Sequence, residues 1–408
     1  MPVLKGAAGF AAVAFALAIT HAFKLLRGCT YQPKKQLPPR SLYNVSRLFW
    51  YLGLGAIVEA ALDLAGTFWS LAIREYWGAP IHAIFRAVWA VWGASFWNGA
   101  EKDGSDFSLA AQHWRVWGFV KQYFTGQMRM VLATQWKSLT PEEVQKWRNH
   151  ERFMVGMHPH GCFPVGGMVN GLTRIGELRN ICADPTAEEG FSVCRPELGE
   201  CEERGSEEVH TRWLTKMKLR AAAASLCFWI PGQREVFLRL GINDCSETYM
   251  RRLLAEGKSV AVFPGGAKES GFATPGKYRL LGNRRGFLRL ALETGNPIFA
   301  CYTFGDEAIW NQFEDGPTLI WHWRSVLKDA LGILPPVWKH LLPNRVPLTT
   351  VVGVPVDFSD LQPPPGEPAT EKNIDAAQKR YNTMLKELFD ANKALVPGGH
   401  EKAQLILD

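Results

Sequence analysis

The chain has 408 residues, 47% of them hydrophobic and 21% charged, with 46 Lys and Arg against 39 Asp and Glu. That apolar content offsets the ordering entropy of folding and excludes wholesale disorder, while a net charge of +7 favours anionic partners without the dense basic stripe of a nucleic-acid binder. The eight cysteines are scattered and include no CxxC pair, which argues against a zinc knuckle or a secreted disulfide framework and for a reducing, cytosol-facing location.

Ten of the 16 Trp precede residue 151, and indole rings with one wet edge suit a membrane interface. Three apolar stretches, residues 6–23, 49–73 and 81–97, read as membrane-anchoring spans. The first sits at the lower length limit for a bilayer crossing, with a signal peptide as the rival reading. The other two are joined by the short turn 74–80 and read as an antiparallel hairpin. Glu59 and Asp63 lie four apart on one helical face, as do His82 and Arg86, so pairing the faces neutralises charges that are costly in hydrocarbon; a shallow hairpin or a water-facing groove is the other reading. Residues 24–47 carry six Lys and Arg and no acid, which places that loop, and the body after the hairpin, on the cytosolic side.

Residues 1–100 are thus expected as anchor, 101–150 as an amphipathic connector packed on the body, and 151–408 as an α/β domain. In that domain β-branched runs at 153–157, 259–263, 297–302 and 349–353 alternate with helical patterns at 246–256, 284–294 and 371–392. The expected fold is a mixed or mostly parallel sheet flanked by helices. Residues 184–208 hold nine acids with several Gly and Pro and read as a solvated insertion, and 361–368 as a stiff Pro-rich connector.

Two turns carry the chemistry. His158-Pro-His-Gly161 leaves the first of these strands, where α/β folds place ligands, and imidazoles are the side chains tuned to move protons near neutral pH. Phe263-Pro-Gly-Gly-Ala-Lys-Glu-Ser270 leaves a second strand, and its backbone amides suit an oxyanion or phosphate. Either turn alone has a structural reading, as satisfied imidazoles or a tight bend.

Together with Pro275-Gly-Lys277, Asn283-Arg-Arg-Gly-Phe-Leu-Arg-Leu-Ala291, Gly295, Phe304-Gly305 and Val351-Val-Gly-Val-Pro355, these blocks closely resemble the type-2 diacylglycerol acyltransferase family, which includes monoacylglycerol and wax-alcohol acyltransferases, within the glycerolipid acyltransferase superfamily. The resemblance runs from about Trp114 to Asn392. The family's Tyr-Phe-Pro block stands here as Tyr123-Phe124-Thr125, and Asn296-Pro-Ile298 and Asp306 also depart from the pattern. The superfamily's Asp five residues after the His is missing, since those positions are Phe163 and Val165.

The resemblance implies acyl-CoA-dependent esterification of diacylglycerol by direct transfer, without cofactor or metal, at an endoplasmic reticulum membrane or lipid droplet. Monoacylglycerol or a long-chain alcohol is the alternative acceptor, and an inactive lipid-binding scaffold the alternative of another class. The expected partners are acyl-CoA, diacylglycerol and membrane lipid, with a homo-oligomer left open. His158 or His160 is expected as base, with position in the superfamily pattern favouring His158 and His160 supporting it, Glu269 as the acid that orients it, and Gly161, Gly265 and Gly266 as oxyanion donors. Lys268, Lys277, Arg284, Arg285 and Arg289 are the cations expected at the CoA phosphates, and Cys162 offers a covalent alternative.

Overall fold

The computed structural model describes residues 99–408 apart from 151, 174–177, 184–190, 194–203, 207–217, 230–232, 272, 314–336, 341 and 398–402. The three expected apolar spans lie outside the described residues, and among the described residues no helix is long and apolar enough to cross a membrane. Two compact units divide the chain, Met1–Asp103 and Gly104–Asp408.

The second unit is built on a sheet of ten strands: β1 (Met128–Leu132), β2 (Met154–His158), β3 (Leu178–Ala183), β4 (Phe191–Val193), β5 (Arg204–Ser206), β6 (Arg220–Ala223), β7 (Ile242–Asp244), β8 (Val260–Val262), β10 (Ile298–Phe304) and β11 (Leu348–Val352). A separate pair, β9 (Arg279–Leu280) and β12 (Ile406–Leu407), runs parallel. The order across the large sheet is β4-β3-β1-β11-β10-β2-β8-β6-β7, with β5 beside β3. β10, β2, β8, β6 and β7 are all parallel, and the direction reverses between β10 and β11. The sheet is therefore mixed and mostly parallel. The acidic insertion is not wholly loop: β4 and β5 fall inside it and pair antiparallel with β3, so edge-strand hydrogen bonding overrides its polar composition.

Helices cover both faces: α1 (Val116–Tyr123), α2 (Pro141–Asn149), α3 (Val165–Leu172), α4 (Gln233–Leu240), α5 (Glu247–Ala255), α6 (Gly286–Thr294) and α7 (Glu371–Asn392). α2 starts with a capping box, in which Glu143 and Thr140 satisfy each other's backbone N–H groups. α6 stops at Gly295, whose left-handed φ of 68° suits a glycine cap. α7 is capped by Thr370 and buries Ile374, Ala377, Tyr381, Leu385 and Leu388, one stripe at helical spacing.

The period-two alternation of β10 assigns the faces. Tyr302 meets Phe389 of α7 edge-on at 5.1 Å and Phe304 meets it tilted at 5.4 Å, whereas Thr303 on the opposite face meets Thr350 of β11, which accepts from Asn170 of α3. Thr125 of the altered Tyr-Phe-Thr block has φ of 60°, a left-handed conformation closed to a proline ring held at about −65°. The substitution and the backbone are thus consistent with each other.

Candidate active site

Because β10, β2 and β8 are parallel neighbours, their C-terminal exits converge at one edge of the sheet. The His158-to-Gly161 turn leaves β2, the glycine turn leaves β8, and Gly305-Asp306-Glu307 leaves β10. A direct bond ties the first two. The backbone N–H of His160 donates to Glu269 Oε2 at 3.1 Å, and Leu281 N–H donates to the other oxygen at 2.8 Å. Glu269 is 2% exposed; burial pushes its carboxyl up, against the pull of these two N–H groups. This corrects one expectation. The carboxylate reaches the backbone of His160 rather than an imidazole, because the single helical turn Ala267–Ser270 directs it under the loop. Gly265 makes the approach feasible, since a Cβ there would lie 1.7 Å from the Glu269 carboxyl carbon. Gly266 has φ 55° and ψ −160°, a conformation open essentially to glycine.

The two imidazoles are in different states. His158 is 3% exposed, and burial pushes its pKa down to about 3, so the ring is neutral. Its Nε2 shares a 2.9 Å hydrogen bond with the hydroxyl of Tyr381 on α7, and its Nδ1 is buried without a hydrogen-bond partner among the described residues. Gly156, two residues back on the same face of β2, leaves room for that hydroxyl, which would sit 1.9 Å from a Cβ. His158 also borders a small cavity shared with Arg284, Tyr381 and Leu407, with room for about one water.

His160 is half-buried and packs edge-on against Phe263 at 6.1 Å. Its Nδ1 lies 3.0 Å from the carbonyl of Gly161. A carbonyl only accepts, so Nδ1 carries the proton and Nε2 is left with its basic lone pair. Burial lowers the ring's pKa below 6.5, partly opposed by this bond.

On the β10 side, Asp306 accepts from Gly166 and Gly167 at 2.8 and 3.2 Å, at the first turn of α3. Burial raises Asp306 to about 8 and Glu307 to about 7. Glu307 faces a second one-water cavity with Gly161, Glu269, Lys277 and Tyr302. Asn296, the other departure near this strand, lies at its opposite end, about 20 Å away at the usual rise per strand residue; it is not part of the site.

Among the expected oxyanion donors, the N–H of Gly266 is donated to the Phe263 carbonyl at 3.0 Å within its own turn, which removes it from the set and leaves Gly161 and Gly265. Cys162 is 5% exposed in an apolar cluster with Phe124, Met128 and Val169, and its thiol donates to the Ser270 carbonyl at 4.0 Å. A thiol packed among apolar side chains in this way behaves as a small buried hydrophobe. Among the described residues no group of three or more His, Cys, Asp or Glu is placed to hold a metal ion.

The cations divide. Lys277 and Arg284 line the two cavities, and Lys268 lies on the single turn with Glu269. Arg285 and Arg289 instead clamp α6 to α7 through Glu371 and Asp375, so their charges are already met by carboxylates. Replacing both by Ala is expected to leave the KM for an acyl-CoA unchanged and to destabilise the fold by about 0–1 kcal/mol per exposed pair, checked by steady-state kinetics and thermal melts.

Comparison with known proteins bears on what such a site does. Residues 208–408 match the sequence profile of the family described as diacylglycerol acyltransferase. The chain is 27% identical to diacylglycerol O-acyltransferase 2-like protein 6 of Mus musculus over 342 residues, covering 78% of this chain and 86% of that protein. It is 27% identical to diacylglycerol O-acyltransferase 2 of Rattus norvegicus over 326 residues, covering 76% and 71% respectively. The family match and these relatives make the chain similar to the diacylglycerol acyltransferase 2 family over most of its length. It is an acyltransferase. The crystal structure of a 1-acyl-sn-glycerophosphate acyltransferase from Thermotoga maritima is similar over 86% of this chain and 99% of that one, at 14% identity and a TM-score of 0.32, a likeness too distant to bear on the site.

In this acyltransferase the sequence reading missed Tyr381, Asp306 as a ligand of the α3 amides, and Glu307. Tyr381 had a signal: it stands on the buried stripe of α7, and a tyrosine there needs a partner for its hydroxyl.

Proposed function

We propose that this enzyme transfers the acyl group of an acyl-CoA directly to the free hydroxyl of diacylglycerol, giving triacylglycerol and CoA, with His160 as general base. The observation that carries the reading is the 3.1 Å bond from His160 N–H to Glu269, which holds the imidazole and the Gly265 turn in one cleft. His160 Nε2 removes the hydroxyl proton as the oxygen attacks the thioester carbon, and the backbone amides of Gly161 and Gly265 receive the developing oxyanion, an interaction worth about 3–4 kcal/mol per donor. Lys268, Lys277 and Arg284 supply positive charge for the CoA phosphates. His158, sealed behind Tyr381, positions the loop. A neutral acceptor and product confined to a bilayer fit a membrane-tethered body, at the endoplasmic reticulum or a lipid droplet, with the active site facing the cytosol.

The test is incorporation of labelled acyl-CoA in microsomes from cells lacking triacylglycerol synthesis. Labelled triacylglycerol is expected with the wild type; label only in wax esters or diacylglycerol would move the acceptor to a long-chain alcohol or monoacylglycerol. The pH profile is a second check. Only the neutral imidazole accepts a proton, and burial depresses its pKa, so kcat is expected to rise with pH through a value below 6.5 and to be flat above it. An acid limb centred above 6.5 would contradict the assignment.

A further inference from the structure

Beside the His158-to-Gly161 loop lies a cluster that the chemistry above does not use. Phe163, next but one after Gly161, packs on Trp310 and Trp338 at 5.7 and 5.9 Å, and the two indoles stack at 5.5 Å with 20° between planes. Trp310 is only 9% exposed, yet both indole N–H groups are buried without a hydrogen-bond partner among the described residues. Gln312, 4% exposed, donates both hydrogens of its amide nitrogen, to the carbonyls of Ser270 and Ala273 at 2.7 and 2.6 Å. Those two carbonyls fix which end of the amide is nitrogen, and its oxygen is likewise buried without a donor.

Two orphan donors and one orphan acceptor on adjoining residues form an unusual concentration, since buried polar groups are nearly always paired. The cluster is attached to both catalytic turns, through Phe163 to the histidine loop and through Gln312 to the end of the glycine turn. All three orphan groups are uncharged, and the two indoles stand with Phe163 as aromatic walls. That chemistry suits an uncharged ligand with carbonyl and hydroxyl groups and disfavours a phosphate or carboxylate, which calls for cations.

We propose that Trp310, Trp338 and Gln312 form the subsite for the glycerol ester end of the acceptor lipid. The indole N–H groups donate to its two ester carbonyl oxygens, its single free hydroxyl stays with His160 Nε2, and Gln312 anchors the indoles to the end of the glycine turn. This rests on the acceptor reading given above. Phe163, 43% exposed, gives the acyl chains an apolar approach.

The test uses the full chain in vesicles with two acceptors of equal chain length, a diester glycerol and the dialkyl ether lacking both carbonyls. The wild type is expected to favour the diester in kcat/KM by about three- to tenfold per hydrogen bond. The double variant Trp310→Phe/Trp338→Phe keeps the rings and removes the donors. It is expected to erase that preference while the KM for acyl-CoA stays the same. A double variant that retains the preference, or a wild type without one, overturns the subsite. So does an equal loss on both acceptors with a lowered melting temperature, which marks a structural role. Failure of the wild type to esterify either glycerol overturns the acceptor reading itself, an outcome distinct from the others.

Discussion

His160→Ala is expected to lower kcat by about 10²- to 10⁴-fold, the range that a positioned general base contributes. The ring is half-buried, its Nδ1–H is held by the Gly161 carbonyl, and Nε2 is the basic nitrogen. His158→Ala removes a different kind of group. That ring is 3% exposed and bonded to Tyr381, so its loss leaves a buried hydroxyl unpaired and is expected to destabilise the fold by about 1–3 kcal/mol. Its effect on kcat is expected to be the smaller of the two. Single-turnover rates with labelled acyl-CoA, alongside thermal melts, separate the cases. If His158→Ala abolished turnover in a folded protein while His160→Ala spared it, the base would be His158.

Glu269→Ala is the second large effect. The carboxylate, 2% exposed, accepts from His160 and Leu281 backbone N–H groups at 3.1 and 2.8 Å, so truncation leaves two partly buried donors unmet. At about 1.5–3 kcal/mol per bond to a charged group, the loss is about 3–6 kcal/mol, a large share of the stability of an ordinary domain. Glu269→Gln keeps one acceptor oxygen and is expected to recover about half of that. The thermal midpoint of the detergent-solubilised full chain reads the order wild type, Gln, Ala. Equal midpoints for all three would show that the bridge does not join the loops in solution.

Much of this architecture is legible from residue pattern alone, for physical reasons that also mark where legibility ends. β8, β10 and β11 are rich in Val, Ile, Thr and aromatic residues, and they and β2 each form within about two residues of the expected place. Met128–Leu132, with two Met and an Arg, and Arg220–Ala223, with three Ala, have weak strand preference; tertiary pairing makes them strands. α7 matches its expected bounds because cap and stripe agree. At the site, the two turns announce themselves as imidazole and glycine groups following strands. The bond between them does not, because it runs through the backbone of residue 160, and no side-chain motif records a carboxylate that serves a peptide N–H. Tyr381 lies 223 residues from its partner, His158. Arg285 and Arg289 look like phosphate ligands until α7 brings Glu371 against them.

The most direct measurement is a structure of the full chain with an acyl-CoA analogue whose sulfur is replaced by methylene, so that the carbonyl is kept and transfer is blocked. The carbonyl oxygen is expected within hydrogen-bond distance of the Gly265 or Gly161 amide, with His160 Nε2 facing the adjoining carbon. An analogue bound with its carbonyl at the opposite end of the sheet, away from the β2 and β8 exits, would contradict the account.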